Sequence, residues 1–445
     1  MAKNTAKRSA ARVHSVHDGG DLARKLADLV GIFRRGGPAD DFRWWDGQSP
    51  QSMFNPRHGY QDGKALFEEI VQGVLALNPQ MLSQTEVDSR IKWQFLQRQT
   101  GNLTLQNHLH NQDLVDKAST FLKELLEFEA WHDVDIPIAN LLLEDGPVEI
   151  GRASLFALTR EEIEDWKKRV YPLWSSTAPN CQTVARVHAP GDQSKATLYA
   201  RTQVELALNV LRAFCFPFGS GIGVWQVGIV GEIVSYNSTP MRIDGQHYPT
   251  QVKPVAQIEL GKDILEKLPQ NNWVAINELV LKPSPNDMEN KLLTSIHWLG
   301  ESTKPETNNS KFTKISVAFE ALLGGEPKDK HLSVRGITAM LAERVAFLLG
   351  DDLASRMVLD KVVRKYYDVR SDIVHEGHGK ASDNDIDGFG RLVRGLILAM
   401  LGKTDTISNI ENLEKWVRQQ KYSSAIANNL PSQNGTIKEP PNELN

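Results

Sequence analysis

From residue 287 to about residue 402 the apolar side chains return at three- and four-residue spacing, segment after segment, with no strand-like alternation between them. That persistence constrains the fold more than any single motif. An apolar stripe repeating every 3.6 residues must be buried along one side of a helix, so successive stripes specify helices packed on one another. Pro283-Ser284-Pro285-Asn286 marks the boundary in front, because closely spaced prolines break any regular element. Behind it the spacing predicts helices over Met288–Gly300, Phe312–Leu323, Leu332–Leu349, Leu353–Val374 and Asp383–Leu401. Glu301–Ser310 is a polar loop, Gly350 a stop signal, and Asp383 the expected N-cap of the last helix.

The chain ahead of this bundle reads in two parts. Residues 21–132 are mainly helical in pattern, with Leu22, Leu26, Leu29 and Val30 on one face and further repeats over Gly63–Leu77, Val87–Arg98 and Asp113–Trp131. Residues 133–282 turn toward strands and predict an α+β domain: Val134–Ile138, Leu141–Leu143, the alternating run Val148–Leu155, Val184–Val187, Gly223–Val234 and Val252–Leu260. Two helices interrupt them, Glu161–Val170, announced by a capping box between Thr159 and Glu162, and the amphipathic Ser194–Phe214. Residues 1–20 read as a basic disordered tail, and 403–445 as a C-terminal helix followed by a polar disordered end. The fold class expected is thus an α+β N-terminal region followed by an all-α bundle.

Composition narrows the function. A net charge of −4 argues against a surface coated with phosphate-binding cations, so any nucleic-acid contact is local. Cys181 and Cys215 form no C-x-x-C pair and have no histidine at ligand spacing, which suits a reducing cytoplasm and argues against a zinc site. The first 20 residues carry Lys3, Lys7, Arg8 and Arg12 but no apolar segment of a secretory signal. No stretch is long and apolar enough to span a membrane, so a cytoplasmic protein with no membrane partner is expected.

Three local patterns suggest chemistry but have plainer explanations. Trp44-Trp45 resembles a base-stacking pair, yet tryptophans that seat a loop on a core are commoner. His108 and His110 would share a face only on a strand, with no carboxylate or cysteine beside them, and fit a polar loop. Gly219-Ser220-Gly221-Ile222-Gly223 lacks the Gly-Lys-Ser/Thr ending of a P-loop and leads into strand-like sequence.

Chemistry gathers instead at Tyr366-Tyr367-Asp368-Val369-Arg370-Ser371-Asp372-Ile373-Val374-His375-Glu376-Gly377. An arginine can hold negative charge while a nearby histidine moves a proton, a combination that serves phosphoryl transfer. Val358, Val362, Lys365 or Tyr366, Val369 and Ile373 are the expected inward stripe, so Arg370 points away from its centre. On an unbroken helix Arg370 and His375 would stand roughly 140° apart. Gly377 and Gly379 let the chain leave the helix near His375 and bring the ring back toward the guanidinium. The same residues also suit a structural role, with His375 on the last helical carbonyls and Arg370 paired to Asp368 or Asp372.

The region around this stretch resembles the Apea-like branch of the HEPN family. The resemblance rests on Ile296-His297-Trp298-Leu299, on Ala318-Phe319-Glu320-Ala321-Leu322-Leu323, and on Arg344 within Leu341–Ala346. It is completed by Tyr367-x-x-Arg370-Ser371-x-x-Val374-His375-x-Gly377. It covers roughly a quarter of the chain firmly, and more loosely the strand-and-helix segment from Val134 to Phe216. It implies an all-α HEPN domain over 287–402 whose Arg-x4-His motif, Arg370 and His375, cleaves RNA through attack by the ribose 2′-hydroxyl. It further implies that no metal or other cofactor is used and that a homodimer faces both motifs into one cleft. Defence or toxin-type effectors are the associated role. Arg370 would neutralise the phosphorane and His375 would take or give the proton, as imidazole does near neutrality. Ser371 and Asp372 would orient them, Tyr367 belongs to the motif, and Glu320 and Arg344 would either form a buried ion pair bracing the bundle or take part in catalysis. The alternative is a module that dimerises and senses a ligand or protein without cleaving anything.

Overall fold

The computed structural model describes residues 19–32, 60–96, 111–144, 146–170, 182–215, 218, 227–230, 232, 236–237, 241–243, 246–248, 253–254, 258–260, 270–304, 306–325, 336–376 and 379–429. Trp44-Trp45, His108, His110, Cys181, Gly219–Gly223, Gly377 and the terminal segments 1–18 and 430–445 lie outside the described residues. The chain divides into two compact units, Met1–Asp135 with Arg186–Thr202, and Ile136–Ala185 with Gln203–Asn445.

The first unit is built on helices α1 (residues 19–32), α2 (Tyr60–Leu77), α3 (Gln84–Ser89) and α4 (Asn111–Leu126). A π-helical turn, Arg90–Leu96, continues α3. Leu26, Leu29 and Val30 meet Ile70, Val74, Ile91 and Leu96 in one apolar core, so the face read from α1 is the buried one. Helix α4 ends at Leu126, short of the expected Trp131, for a physical reason. The Asn78 amide donates to the carbonyls of Leu125, Leu126 and Phe128 at 3.2, 3.3 and 3.3 Å, satisfying acceptors that another helical turn would have used.

Trp131 instead opens strand β1 (Trp131–Ala139), followed by β2 (Leu141–Leu143), β3 (Val148–Ile150), β4 (Ala153–Ala157), β5 (Thr183–Pro190) and β6 (Gly228–Ile229). The main sheet has the order β3-β4-β5-β1-β6. The alternating run Val148–Leu155 is a hairpin rather than one strand. Val148 pairs with Leu155 and Ile150 with Ala153, and the turn is made at Gly151 with φ 59°, a left-handed conformation that favours glycine. Short strands β7 (Tyr236–Asn237), β8 (Met241–Ile243), β9 (Gln246–Tyr248), β10 (Lys253–Pro254) and β11 (Ile258–Leu260) complete the β region. Of these, β11 pairs in parallel with β2.

Helices α5 (Arg160–Val170) and α6 (Gln193–Cys215) fall where the periodicity places them. The Thr159–Glu162 capping box is formed: the Thr159 amide donates to Glu162 at 2.8 Å and the Glu162 amide to Thr159 Oγ1 at 3.3 Å. Helix α7 (Gln270–Leu281) is an element of the α+β region that no sequence pattern singled out. Its buried residues, Ile276 and Leu279, are three apart, and Asn277 fastens it to the hairpin by accepting the Gly151 amide at 2.9 Å.

The C-terminal part is helical, as expected: α8 (Asp287–Glu301), α9 (Asn308–Leu323), α10 (Ile337–Leu349), α11 (Leu353–Ser371), α12 (Asp383–Leu401) and α13 (Ile410–Asn429). Ser382, not Asp383, caps α12: its side chain takes the Asp385 amide and Asp385 bonds back. Phe312, Phe319, Tyr366 and Phe389 form an aromatic core between α9, α11 and α12, with Tyr366 and Phe389 stacked at 4.7 Å. Val363 and Tyr366 are the buried residues of α11, whereas Val358, expected inside, is 60% exposed. No helix among the described residues is long and apolar enough to cross a membrane.

Candidate active site

Arg370 and His375 stand at the end of α11, where the helix changes its winding. Asp372–Glu376 forms a π-helical turn. Bonds from i to i+5 enclose more residues per turn than the α-helix, so each residue rotates less about the axis. The angle between Arg370 and His375 therefore falls below the value for an unbroken α-helix. The chain then doubles back. A Cβ on Gly379 would sit 2.8 Å from the Ile373 amide nitrogen and 2.9 Å from the Asp372 carbonyl carbon, so a glycine is needed there. Asn309 at the start of α9 holds this return, donating to the Gly379 carbonyl at 2.8 Å and accepting the Ala381 amide at 3.0 Å.

Tyr366 buries one side of α11 in the aromatic core and so fixes what its neighbours face. Arg370 Nε lies 3.4 Å from Glu320 Oε1 on α9, and the guanidinium carbon is 5.7 Å from the centre of the Tyr367 ring. Burial, and next the Glu320 carboxylate, push the Tyr367 phenol above its ordinary range, so it remains a proton donor. Glu320 Oε1 is buried and accepts no hydrogen bond. Neither does any hydrogen bond among the described residues engage the terminal nitrogens of Arg370. His375 is exposed, as is Asp372, while Ser371 is half-buried.

This arrangement differs from expectation in two places. Ser371 and Asp372 make no side-chain bond to Arg370 or His375 among the described residues; the group that meets Arg370 is Glu320, from another helix. Nor does Glu320 pair with Arg344. The buried Arg344 donates from Nε to Glu414 at 2.6 Å and from Nη1 and Nη2 to the Gly325 carbonyl at 3.3 and 3.2 Å, with a further bond to the Leu323 carbonyl. Lys291 adds bonds to the carbonyls of Ala321 and Gly324 at 3.1 and 3.0 Å. Two cations thus serve the unsatisfied carbonyls at the C-terminal end of α9. Arg344 braces the helix that carries Glu320 and takes no part in the site.

A second polar cluster joins α6 to α8. Arg212, 2% exposed, donates to Glu205 and Asn209 at 2.8 Å each and to the Val227 carbonyl. Lys304 bridges Glu205 and Glu301 at 2.7 and 2.6 Å, and the Asn209 amide meets His297 Nδ1 at 3.0 Å. Burial alone would raise the Glu205 carboxyl, but Arg212 and Lys304 outweigh it and hold it at about 2. The helices cross closely here, since a Cβ on Gly300 would lie 2.6 Å from the Asn209 carbonyl oxygen. His297 stood out in the sequence, whereas its partners, about 90 residues earlier, share no spacing with it. Among the described residues no three His, Cys, Asp or Glu side chains gather as metal ligands.

Comparison with protein-family models, with curated proteins and with solved structures finds no match to this chain.

Proposed function

We propose that this chain is a metal-independent endoribonuclease of HEPN type, acting as a defence or toxin-type effector, with Arg370 and His375 as its catalytic pair. The observation that carries the reading is the state of Arg370. Glu320 meets the guanidinium through Nε, which leaves the terminal nitrogens open to grip two phosphate oxygens in a planar fork. The exposed His375 follows on the under-wound turn, accessible to a polynucleotide. Arg370 stabilises charge on phosphorus and His375 transfers a proton, while the ribose 2′-oxygen attacks the adjacent phosphate. Pairing of two chains, as in the family this segment resembles, completes the cleft.

Purified protein incubated with single-stranded RNA in EDTA tests the reading. The expected outcome is cleavage to products ending in a 2′,3′-cyclic phosphate or a 3′-phosphate. Activity abolished by EDTA and restored by Mg²⁺ overturns the mechanism. Binding without cleavage supports the partner-sensing module instead.

A further inference from the structure

We propose that Glu320 is a catalytic residue of this site, the general base that removes the 2′-hydroxyl proton, leaving His375 to act as general acid. The inference rests on the ribonuclease reading above and asks what that reaction needs from one chain.

Attack by a 2′-oxygen requires two proton transfers, one from the nucleophile and one to the leaving 5′-oxygen. The motif supplies one imidazole. Glu320 supplies a carboxylate that touches the phosphate-binding arginine from a different helix, with Oε1 3.4 Å from Arg370 Nε. That oxygen is buried and accepts no hydrogen bond. A buried carboxylate oxygen without a donor is costly, and in a structural ion pair a small rotation would close the bond. The side chain as a whole is 32% exposed, so the rest of the carboxylate can be reached from solvent. A phosphate seated on the Arg370 fork brings its neighbouring ribose within reach of the group beside that fork. Tyr367, kept protonated, hydrogen-bonds the Glu320 carboxylate and holds it beside Arg370.

The step balances without any further reagent. Glu320 takes the 2′-hydroxyl proton as the O2′–P bond forms. The P–O5′ bond breaks, and the protonated His375 gives its proton to the departing 5′-oxygen. A 2′,3′-cyclic phosphate and a 5′-hydroxyl result, and solvent restores both side chains.

The experiment uses one single-stranded RNA oligonucleotide in two forms, native and with sulfur replacing the bridging 5′-oxygen at the cleaved linkage. A thiolate leaves without a proton, so the sulfur substrate needs a base but no acid. Full-length wild type, Glu320→Gln, Glu320→Asp and His375→Ala are compared in single turnover, with melting curves on each. Glu320→Gln keeps the shape of the side chain and cannot take a proton. It is expected to lose ~10²–10⁴-fold on both substrates. Glu320→Asp should recover part of the rate. His375→Ala should fail on native RNA and approach wild type on the sulfur substrate. Glu320→Gln within a few-fold of wild type, or sulfur rescue of Glu320→Gln and not of His375→Ala, overturns the proposal while the nuclease reading stands. Failure of wild type on both substrates overturns both.

Discussion

Asp368 and Asp372 lie two residues either side of Arg370, and no ion pair among the described residues joins either to it. On a helix, residues two apart face different ways, so the guanidinium turns to the acid that packing brings to it. Arg370→Ala should lower RNA cleavage by ~10²-fold or more, as the loss of one preorganised donor does, with the melting temperature unchanged. Arg370→Lys is the sharper variant: it keeps the charge, loses the planar fork, and should be nearly as inactive. Retained cleavage in either, or a clear drop in melting temperature, would mean that the arginine is structural. The proposed pair is read from the sequence because Arg370 and His375 sit within one turn-and-a-half of one helix. The partner of Arg370 was not, since Glu320 lies 50 positions earlier and only the packing of α9 on α11 brings the two together.

At the scale of elements, long amphipathic helices were readable and short or two-sided elements were not. Helices α8 and α12 bury the residues that their three-and-four spacing selects. Helix α7 was hidden because Val274, Ile276 and Val280 are β-branched and sit among strands, while its burial depends on a hairpin that does not adjoin it in sequence. The join between α6 and α8 is likewise a tertiary product, and it carries a pH dependence. Glu205 is held at about 2 in the folded chain against an ordinary 4.5. Its contribution to stability is therefore complete above pH ~4.5 and is lost as pH falls toward ~2. Glu205→Gln leaves Arg212 buried with less opposing charge and should cost on the order of 3 kcal/mol at neutral pH. Denaturant midpoints measured from pH 7 down to 2.5 should show wild type and variant converging below pH 4.5. A constant gap would place the stabilisation elsewhere than in this carboxylate.

The whole molecule presents apolar side chains that one chain alone leaves uncovered along the motif helix. Leu353, Met357 and Val358 are 74, 55 and 60% exposed near its start, and Val374 is 47% exposed beside His375. A second copy packed along α11 would cover them and bring two sets of Arg370 and His375 to one cleft. Light scattering at tens of micromolar should give twice the chain mass; a monomer with full activity would remove the dimer from the mechanism.

The first unit is closed by a segment made later. Arg186–Thr202 leaves the ribosome only after residues 136–185, a wait of several seconds at ~5–20 residues per second. In that interval α1 to α4 can gather their apolar core, but the Ser83 amide lacks the Asp192 carboxylate and the Ala130 and Met81 carbonyls lack the amides of Gly191 and Asp192. Translation therefore exposes a half-finished N-terminal body for longer than its own length requires, a window in which a chaperone or a protease meets it first. For the same reason, a fragment that stops at Asp135 is not a domain, and any piece meant to carry the first unit has to run through Thr202.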